Sequence, residues 1–298
     1  MLTVHNHRIR YFYEAIKFGG IRAAADALNV APSAISRQIT LLEQELGTPL
    51  MERGIKGVVA TEAGETVLAY FRKHSEHQQD LIESLSSLKG LTMGEVIIAS
   101  GEGYIRLLAE PIAAFSAQYP NIKIKINVRG SNDVMSQVID NEAHIGVVYN
   151  PSNHPKIRAH FEAKHPLCAF LNADHPLAQQ AQPIDLLDLA HERLAFADAS
   201  HGIRQIIKNV ETEMGLLLSP TLVCNHLTLL KKYAMEGGVT LLPDFMLHEE
   251  DQPYLQAKLL THPAFNQTKT KIITRLGRQL PPAASIMLKL LVQTMKKI

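Results

Sequence analysis

Between Ile21 and Arg53 the apolar positions fall into two helical stripes separated by Asn29-Val30-Ala31-Pro32. In the second stretch Ile35, Ile39, Leu42 and Leu46 stand at i, i+4, i+7 and i+11, one inward stripe of a 3.6-residue period. Ser33, Arg37, Thr40 and Gln44 fall on the opposite side, with Ser36 beside them. The first stretch is alanine-rich, Ala23 to Ala25 and again Ala27, so two helices can cross closely. Ile9, Phe12 and Ile16 give a preceding helix the apolar face that closes a small core. The pattern predicts a helix-turn-helix. Residues 51–61, MERGIKGVVAT, mix glycines with β-branched side chains and predict a short hairpin wing. Along 62–88, Val67, Phe71, His74, Gln78, Leu81, Leu85 and Leu88 step by four and three, the seam of a pairing helix. Lys89-Gly90-Leu91-Thr92-Met93-Gly94 then breaks that helix and reads as a hinge.

From Glu95 onward short apolar runs alternate with amphipathic stretches, the signature of open α/β sheets. Strands are expected at 96–100, 122–128, 145–149, 167–171, 194–197, 222–225, 239–242 and 272–275. Helices are expected at 105–118, 133–140, 203–214, 227–236 and 283–296. Such sheets bind small molecules beyond the carboxyl ends of their strands, where helix N-termini offer backbone N–H groups to anions. The chain thus divides into residues 1–61, a linker helix at 62–89 and an α/β module at 90–298.

The polar face of the second helix carries short hydroxyls, amides and one guanidinium, groups that hydrogen-bond base edges and phosphates without crowding a groove. Charge adds little. Net charge is +1 over 298 residues, and residues 1–60 hold seven Lys/Arg against five Asp/Glu. The broad basic footprint of many nucleic-acid binders is therefore missing, and strong binding would need a dimer on paired half-sites. Arg53 and Lys56, in the hairpin, are placed to reach phosphates.

The amino-terminal residues resemble the LysR-type transcriptional regulators, and the likeness extends over almost the whole chain. It rests on Tyr11-Phe12, Ala24-Ala25, Ser36-Arg37-Gln38-Ile39, Leu42-Glu43, Leu46-Gly47, Leu50-Met51-Glu52-Arg53 and Thr61-Glu62-Ala63-Gly64. Gly20-Ile21 stands where the family has Ser-Phe, and Ala31-Pro32-Ser33 replaces its Ser-Gln-Pro. Pro32 suits a first helical turn, while Ala31 offers no capping oxygen. The resemblance implies an all-α winged helix-turn-helix domain and an α/β effector domain similar to type 2 periplasmic binding proteins. It implies DNA contacts from Pro32, Ser33, Ser36, Arg37, Gln38, Thr40, Arg53 and Lys56.

In the second module, Asp174-His175-Pro176-Leu177-Ala178 and Gly238-Val239-Thr240-Leu241-Leu242-Pro243 match the family's weaker signatures. His144 stands where the family has Asp, and Glu236 where it often has Gly. The effector residues so implied are Ser100, Gly101 and Glu102 after the first strand, Ser131 and Asn132 after the second, and Tyr149 after the third. Asn225, His226 and Thr228 complete the set. Ser131 and Asn132 equally suit a helix cap. His201, opening a helix with Gly202, reads either as a donor to an anionic effector or as an exposed loop histidine.

Other chemistries find little support. Cys224-Asn225-His226 has no second Cys or His at metal spacing, so no metal is expected. Gly101-Glu102-Gly103 is too short to count as a phosphate loop, and no nucleophile elbow is present. Two cysteines, no leader-like segment and no long apolar run lead to the expectation of a reduced cytoplasmic chain without membrane contact. The function expected is a transcriptional regulator, not an enzyme, needing no cofactor. It would bind a double-stranded operator as a homodimer or homotetramer, answer to a small-molecule effector and meet RNA polymerase. The alternatives are a small-molecule binding protein, or a thiol redox sensor using Cys224.

Overall fold

The computed structural model describes residues 5–54, 57–88 and 94–296, with the backbone alone at 53, 76–77, 79–80 and 82–88. Lys56, the side chains of Arg53, Leu85 and Leu88, and the hinge at 89–93 lie outside the described residues. Two compact units divide between Ile82 and Glu83.

In the first unit, α1 (Asn6–Lys17), α2 (Ile21–Leu28) and α3 (Pro32–Leu46) close on Ile9, Phe12, Ala25, Ile35, Ile39 and Leu42, all buried. Asn29 ends α2 in the left-handed region at φ 53°, and the Val30 amide bonds back to the Ala25 carbonyl. Pro32 fills the first turn of α3, and Ala31 provides no side-chain cap, as its methyl dictates. Gly47, at φ 68°, terminates α3. The wing forms as β1 (Met51–Gly54) antiparallel to β2 (Gly57–Ala60), with Met51 opposite Ala60. Its base docks on the α1–α2 turn, the Val58 amide donating to the Gly19 carbonyl at 3.1 Å.

The Thr61-Glu62-Ala63-Gly64 motif starts α4 (Glu62–Leu88). Thr61 Oγ1 accepts from the Gly64 amide at 3.0 Å and donates to the Pro49 carbonyl at 2.9 Å. A Cβ on Gly64 would stand 2.0 Å from the Leu50 carbonyl oxygen, so only glycine lets the helix start this close. The heptad seam is only partly available for pairing. Val67 and Phe71 pack against the core of their own unit, and His74 Nε2 lies 2.9 Å from Asn6 Nδ2 on α1. Leu81, beyond them, is 59% exposed.

The second unit holds two five-stranded sheets. The first subdomain contains β3 (Gly94–Ser100), α5 (Ile105–Gln118), β4 (Ile122–Val128), α6 (Ser131–Ile139), β5 (Ile145–Tyr149) and β6 (Ile157–Lys164). The chain then crosses to β7 (Leu167–Asn172), β8 (Leu194–Ala197), α7 (Gly202–Met214), β9 (Leu222–Cys224), α8 (Leu227–Met235), β10 (Val239–Pro243), β11 (Leu255–Leu259) and α9 (Pro263–Asn266). It returns through β12 (Lys269–Arg275) and α10 (Pro282–Met295). The strand orders are β4-β3-β5-β12-β6 and β11-β7-β10-β8-β9. β3 runs parallel to β4 and β5, and β8 parallel to β9 and β10, while β12 and β7 are antiparallel to their neighbours. The two crossings lie side by side: the His165 amide donates to the Thr268 carbonyl at 3.0 Å, and Thr268 Oγ1 to the His165 carbonyl at 2.6 Å.

The expected runs became the inner strands together with the edge strands β4 and β9. β6 and β11, not expected, are edge strands with polar alternate residues. The unusual His144 is buried and accepts the Ile97 amide at Nδ1, 2.9 Å away. Glu236 is accommodated because its neighbour Gly237 takes the positive φ, 81°, that ends α8.

Candidate functional site

On α3, burial of Ile35, Ile39 and Leu42 turns Pro32, Ser33, Arg37, Thr40 and Gln44 outward, all exposed. Thr40 Oγ1 donates to the Ser36 carbonyl at 3.0 Å, so that hydroxyl hugs its own helix. Gln38 is different. Its Oε1 accepts from Arg8 Nε of α1 at 3.2 Å, and the same guanidinium pairs with Glu45. The amide of Gln38, one of the residues expected to contact DNA, thus also braces α3 against α1. Glu43 also turns away from the polar face, accepting the Leu50 amide at 2.8 Å.

In the second unit the residues expected to meet an effector lie where β3, β5, α6, α7 and α8 meet. Ser100 is buried at the end of β3, its Oγ donating to the Gly101 carbonyl at 3.0 Å, while its own carbonyl accepts the Arg129 amide. Ser131 opens α6 but does not cap it, since its hydroxyl donates to the Tyr149 carbonyl at 3.0 Å. Tyr149 turns its hydroxyl toward the crossings. Its hydroxyl lies 2.7 Å from Thr268 Oγ1 and 3.0 Å from the His165 carbonyl oxygen, its one hydrogen shared between them, and burial pushes its pKa well up. Phe245 packs beside that ring and stacks on Tyr104, whose hydroxyl lies 2.9 Å from Thr270 Oγ1. The phenol of Tyr149 therefore ties the end of β5 to both crossings.

His201 is 5% exposed, which corrects its reading as an exposed loop histidine. It occupies the N-cap position of α7 with Nε2 3.1 Å from the Asn225 carbonyl oxygen. Asn225 and His226 are exposed at the start of α8. The loop before α7 is shaped by Asp198, which accepts from Ser200 Oγ at 2.6 Å and from the Ser200 amide at 3.0 Å. The Ser200 hydroxyl holds the Asp198 carboxyl below the usual carboxylate range.

Two contacts link the subdomains at this site. The Asn132 amide donates to the Ser200 carbonyl at 3.3 Å and its Nδ2 to the Ala199 carbonyl at 3.2 Å, so α6 rests on the loop before α7. A Cβ on Gly130 would lie 2.4 Å from the Ser200 oxygen, so this approach depends on glycine. On the other side Glu102 reaches α8, as described below. Neither Ser200 nor Gly130 stood out in the sequence, although the Asp198-Ala199-Ser200 spacing suits a side-chain-to-backbone turn. A separate cavity of 690 Å³ opens beside Glu102, lined by Arg106, Thr228, Lys231, Asp251 and Tyr254 among others. Arg106 meets Glu250 at 2.6 Å and Lys231 meets Asp251 at 2.6 Å, so most of its charge is internally paired.

The cysteines do not form a disulfide. Cys168 on β7 and Cys224 on β9 are separated by β10 and β8, three strand spacings or about 14 Å, far beyond the reach of a bridge. Burial also pushes the Cys168 thiol up to about 12, away from thiolate chemistry.

Known proteins agree with this architecture. Residues 89–296 match the LysR substrate binding domain, and residues 7–65 the bacterial regulatory helix-turn-helix protein of the lysR family. A RuBisCO operon transcriptional regulator of Allochromatium vinosum is 25% identical over 286 residues, covering 95% of this chain and 94% of its own. Among solved structures, a full-length OxyR variant from Pseudomonas aeruginosa superposes with a TM-score of 0.66 at 18% identity, over 97% of this chain and 98% of that one. Full-length CbnR complexed with its target DNA gives 0.57 at 19% identity, over 97% and 99%.

Proposed function

The chain belongs to the LysR family of transcriptional regulators, and on that premise we propose how its two modules divide the work. It is a DNA-binding regulator of transcription with an effector-binding domain. The observation that carries the finer reading is the exposed row of Ser33, Arg37, Thr40 and Gln44 opposite the buried stripe of α3. That row enters the major groove, with Pro32 and Ser33 at the helix start nearest the bases, Ser36 beside them and Arg37 reading a base edge. Arg53 and Lys56 of the wing reach flanking phosphates. Gln38 acts indirectly, fixing the helix through Arg8.

Two copies pair through the part of α4 that carries the exposed Leu81, and a homodimer or homotetramer spans paired operator half-sites. The effector is a small molecule held between the two subdomains near Ser100, Ser131, His201 and Asn225. It acts by binding one arrangement of the subdomains better than another, so the population shifts and the DNA contacts with it. No described helix is long and apolar enough to cross a membrane. The working place is the cytoplasm, beside the chromosome and RNA polymerase.

Footprinting the full chain on DNA from its own genomic neighbourhood, at fixed salt, tests this reading. Protection of two half-sites about one helical turn or a multiple apart is expected. Uniform protection without half-sites overturns the assignment of α3 as a base-reading helix.

A further inference from the structure

α8 begins at Leu227 without a side-chain cap of its own, because its N-cap residue, His226, makes no such bond. Nor does its first turn carry an acidic residue. The free amides are satisfied from the other subdomain. Glu102, 125 residues earlier in the turn after β3, accepts from the Leu227 amide at 2.7 Å through Oε2. Through Oε1 it accepts from the Thr228 amide at 3.0 Å and from Thr228 Oγ1 at 2.6 Å. His226 Nδ1 lies 3.8 Å from the same carboxylate, whose side chain is only 13% exposed.

A carboxylate on unpaired amides at a helix N-terminus is an anion in an anion's place. Three donors occupy most of its acceptor sites, so Glu102 is committed to α8. The same face is held a second time, through Asn132 on the carbonyls of Ala199 and Ser200. Helix N-termini on both sides of the cleft are thus satisfied by groups of the protein itself.

We propose that Glu102 is an internal carboxylate ligand of α8, an autoinhibitory clasp that holds the two subdomains of the effector module together when no effector is bound. Its regulatory meaning rests on the effector reading above, but the clasp is a property of the module and can be tested without DNA or effector. An effector that brings its own acid group to α8 must displace Glu102. The displaced side chain would turn toward the neighbouring cavity, whose rim carries the Arg106–Glu250 pair four residues along the chain. The released subdomain then moves on the crossings at His165 and Thr268.

Hydrogen–deuterium exchange on the full-length wild type, Glu102→Gln and Glu102→Ala tests the clasp, with acetate as the probe carboxylate. In Glu102→Ala the peptide containing Leu227 and Thr228 should exchange roughly tenfold faster or more, and exchange of the His165 amide at the crossing should rise with it. Acetate should restore protection at Leu227 and Thr228 in Glu102→Ala and leave the wild type unchanged. Glu102→Gln, which keeps the shape and loses the charge, should fall between the two. Unchanged exchange in Glu102→Ala overturns the clasp. Faster exchange that acetate does not repair overturns the carboxylate-ligand role, and leaves only a packing defect. Acetate rescue in Glu102→Ala together with no specific DNA binding by the wild type would support the clasp and count against the α3 assignment alone.

Discussion

Arg37 is the one guanidinium on the exposed row of α3, so specificity at one base should depend on it. Arg37→Ala is expected to weaken operator binding by roughly 1–3 kcal/mol, with relaxed preference at a single position, in titrations against base-substituted operators. An equal loss on every sequence would mean that Arg37 meets phosphate. Thr240 offers a test of the opposite sign. It is fully buried on β10, and its hydroxyl has no hydrogen-bond partner among the described residues. Thr240→Val should therefore raise stability by about 1 kcal/mol in urea unfolding, since the valine fills the same space without an unpaired oxygen. At this scale the sequence was legible wherever a side chain's role follows from its own helix. The outward set Ser33, Arg37, Thr40 and Gln44 came directly from periodicity. Gln38 did not, because its partner Arg8 is 30 residues away on another helix, and Glu102 did not, because its partners are 125 and 126 residues away.

Among the elements, the wing makes the strictest demand on one residue. Gly57 sits at φ +111°, and a Cβ there would stand 2.3 Å from the Gly19 carbonyl oxygen that anchors β2 to the α1–α2 turn. Gly57→Ala should cost about 2 kcal/mol or more of stability, from backbone strain together with the lost approach. Thermal melts would show it, and an unchanged midpoint would mean that the wing docks loosely. The helices of the DNA-binding head and the inner strands of the sheets were legible because each carries a single uninterrupted period. β6, reading Ile-Arg-Ala-His-Phe-Glu-Ala-Lys, and β11, reading Leu-Gln-Ala-Lys-Leu, lie at sheet edges where every second residue meets solvent. The edge strand β4, Ile-Lys-Ile-Lys-Ile-Asn-Val, was legible because isoleucine repeats at every second position, whereas β6 and β11 carry alanines among their alternate apolar positions and give a weaker period. In the heptad seam, Val67 and Phe71 satisfy a pairing pattern and also pack, partly buried, on their own unit, a second role that the spacing alone does not show.

For the whole molecule, the acid limb of stability follows from two half-buried histidines. His160 and His248 both have lowered pKa values, first because burial disfavours their charged forms. Around His248 the Lys231 ammonium and Arg106 reinforce the shift, while Asp251 and Glu250 oppose it. Both rings stay neutral in the folded chain below the pH at which the unfolded chain takes up their protons, about 6.5. In that window the unfolded state binds more protons, so stability rises with pH and is lost as pH falls from about 6.5 toward the folded values. Asp251 adds a second stage. Burial alone would raise its carboxyl, but the hydrogen bond from Lys231 at 2.6 Å and the His248 amide win, and the net shift is downward. Its contribution is complete above the ordinary carboxylate value and disappears only as pH falls below about 4. Urea midpoints measured between pH 8 and pH 3 should thus fall in two steps, and His248→Gln should flatten the upper one while leaving the lower in place. An upper step unchanged in that variant would assign it to His160 and its 2.8 Å contact with Thr274, on the other sheet. The two histidines sit in different subdomains, so the size of the surviving step reports how tightly the two sheets unfold together: coupled subdomains lose stability as one transition, whichever histidine is removed.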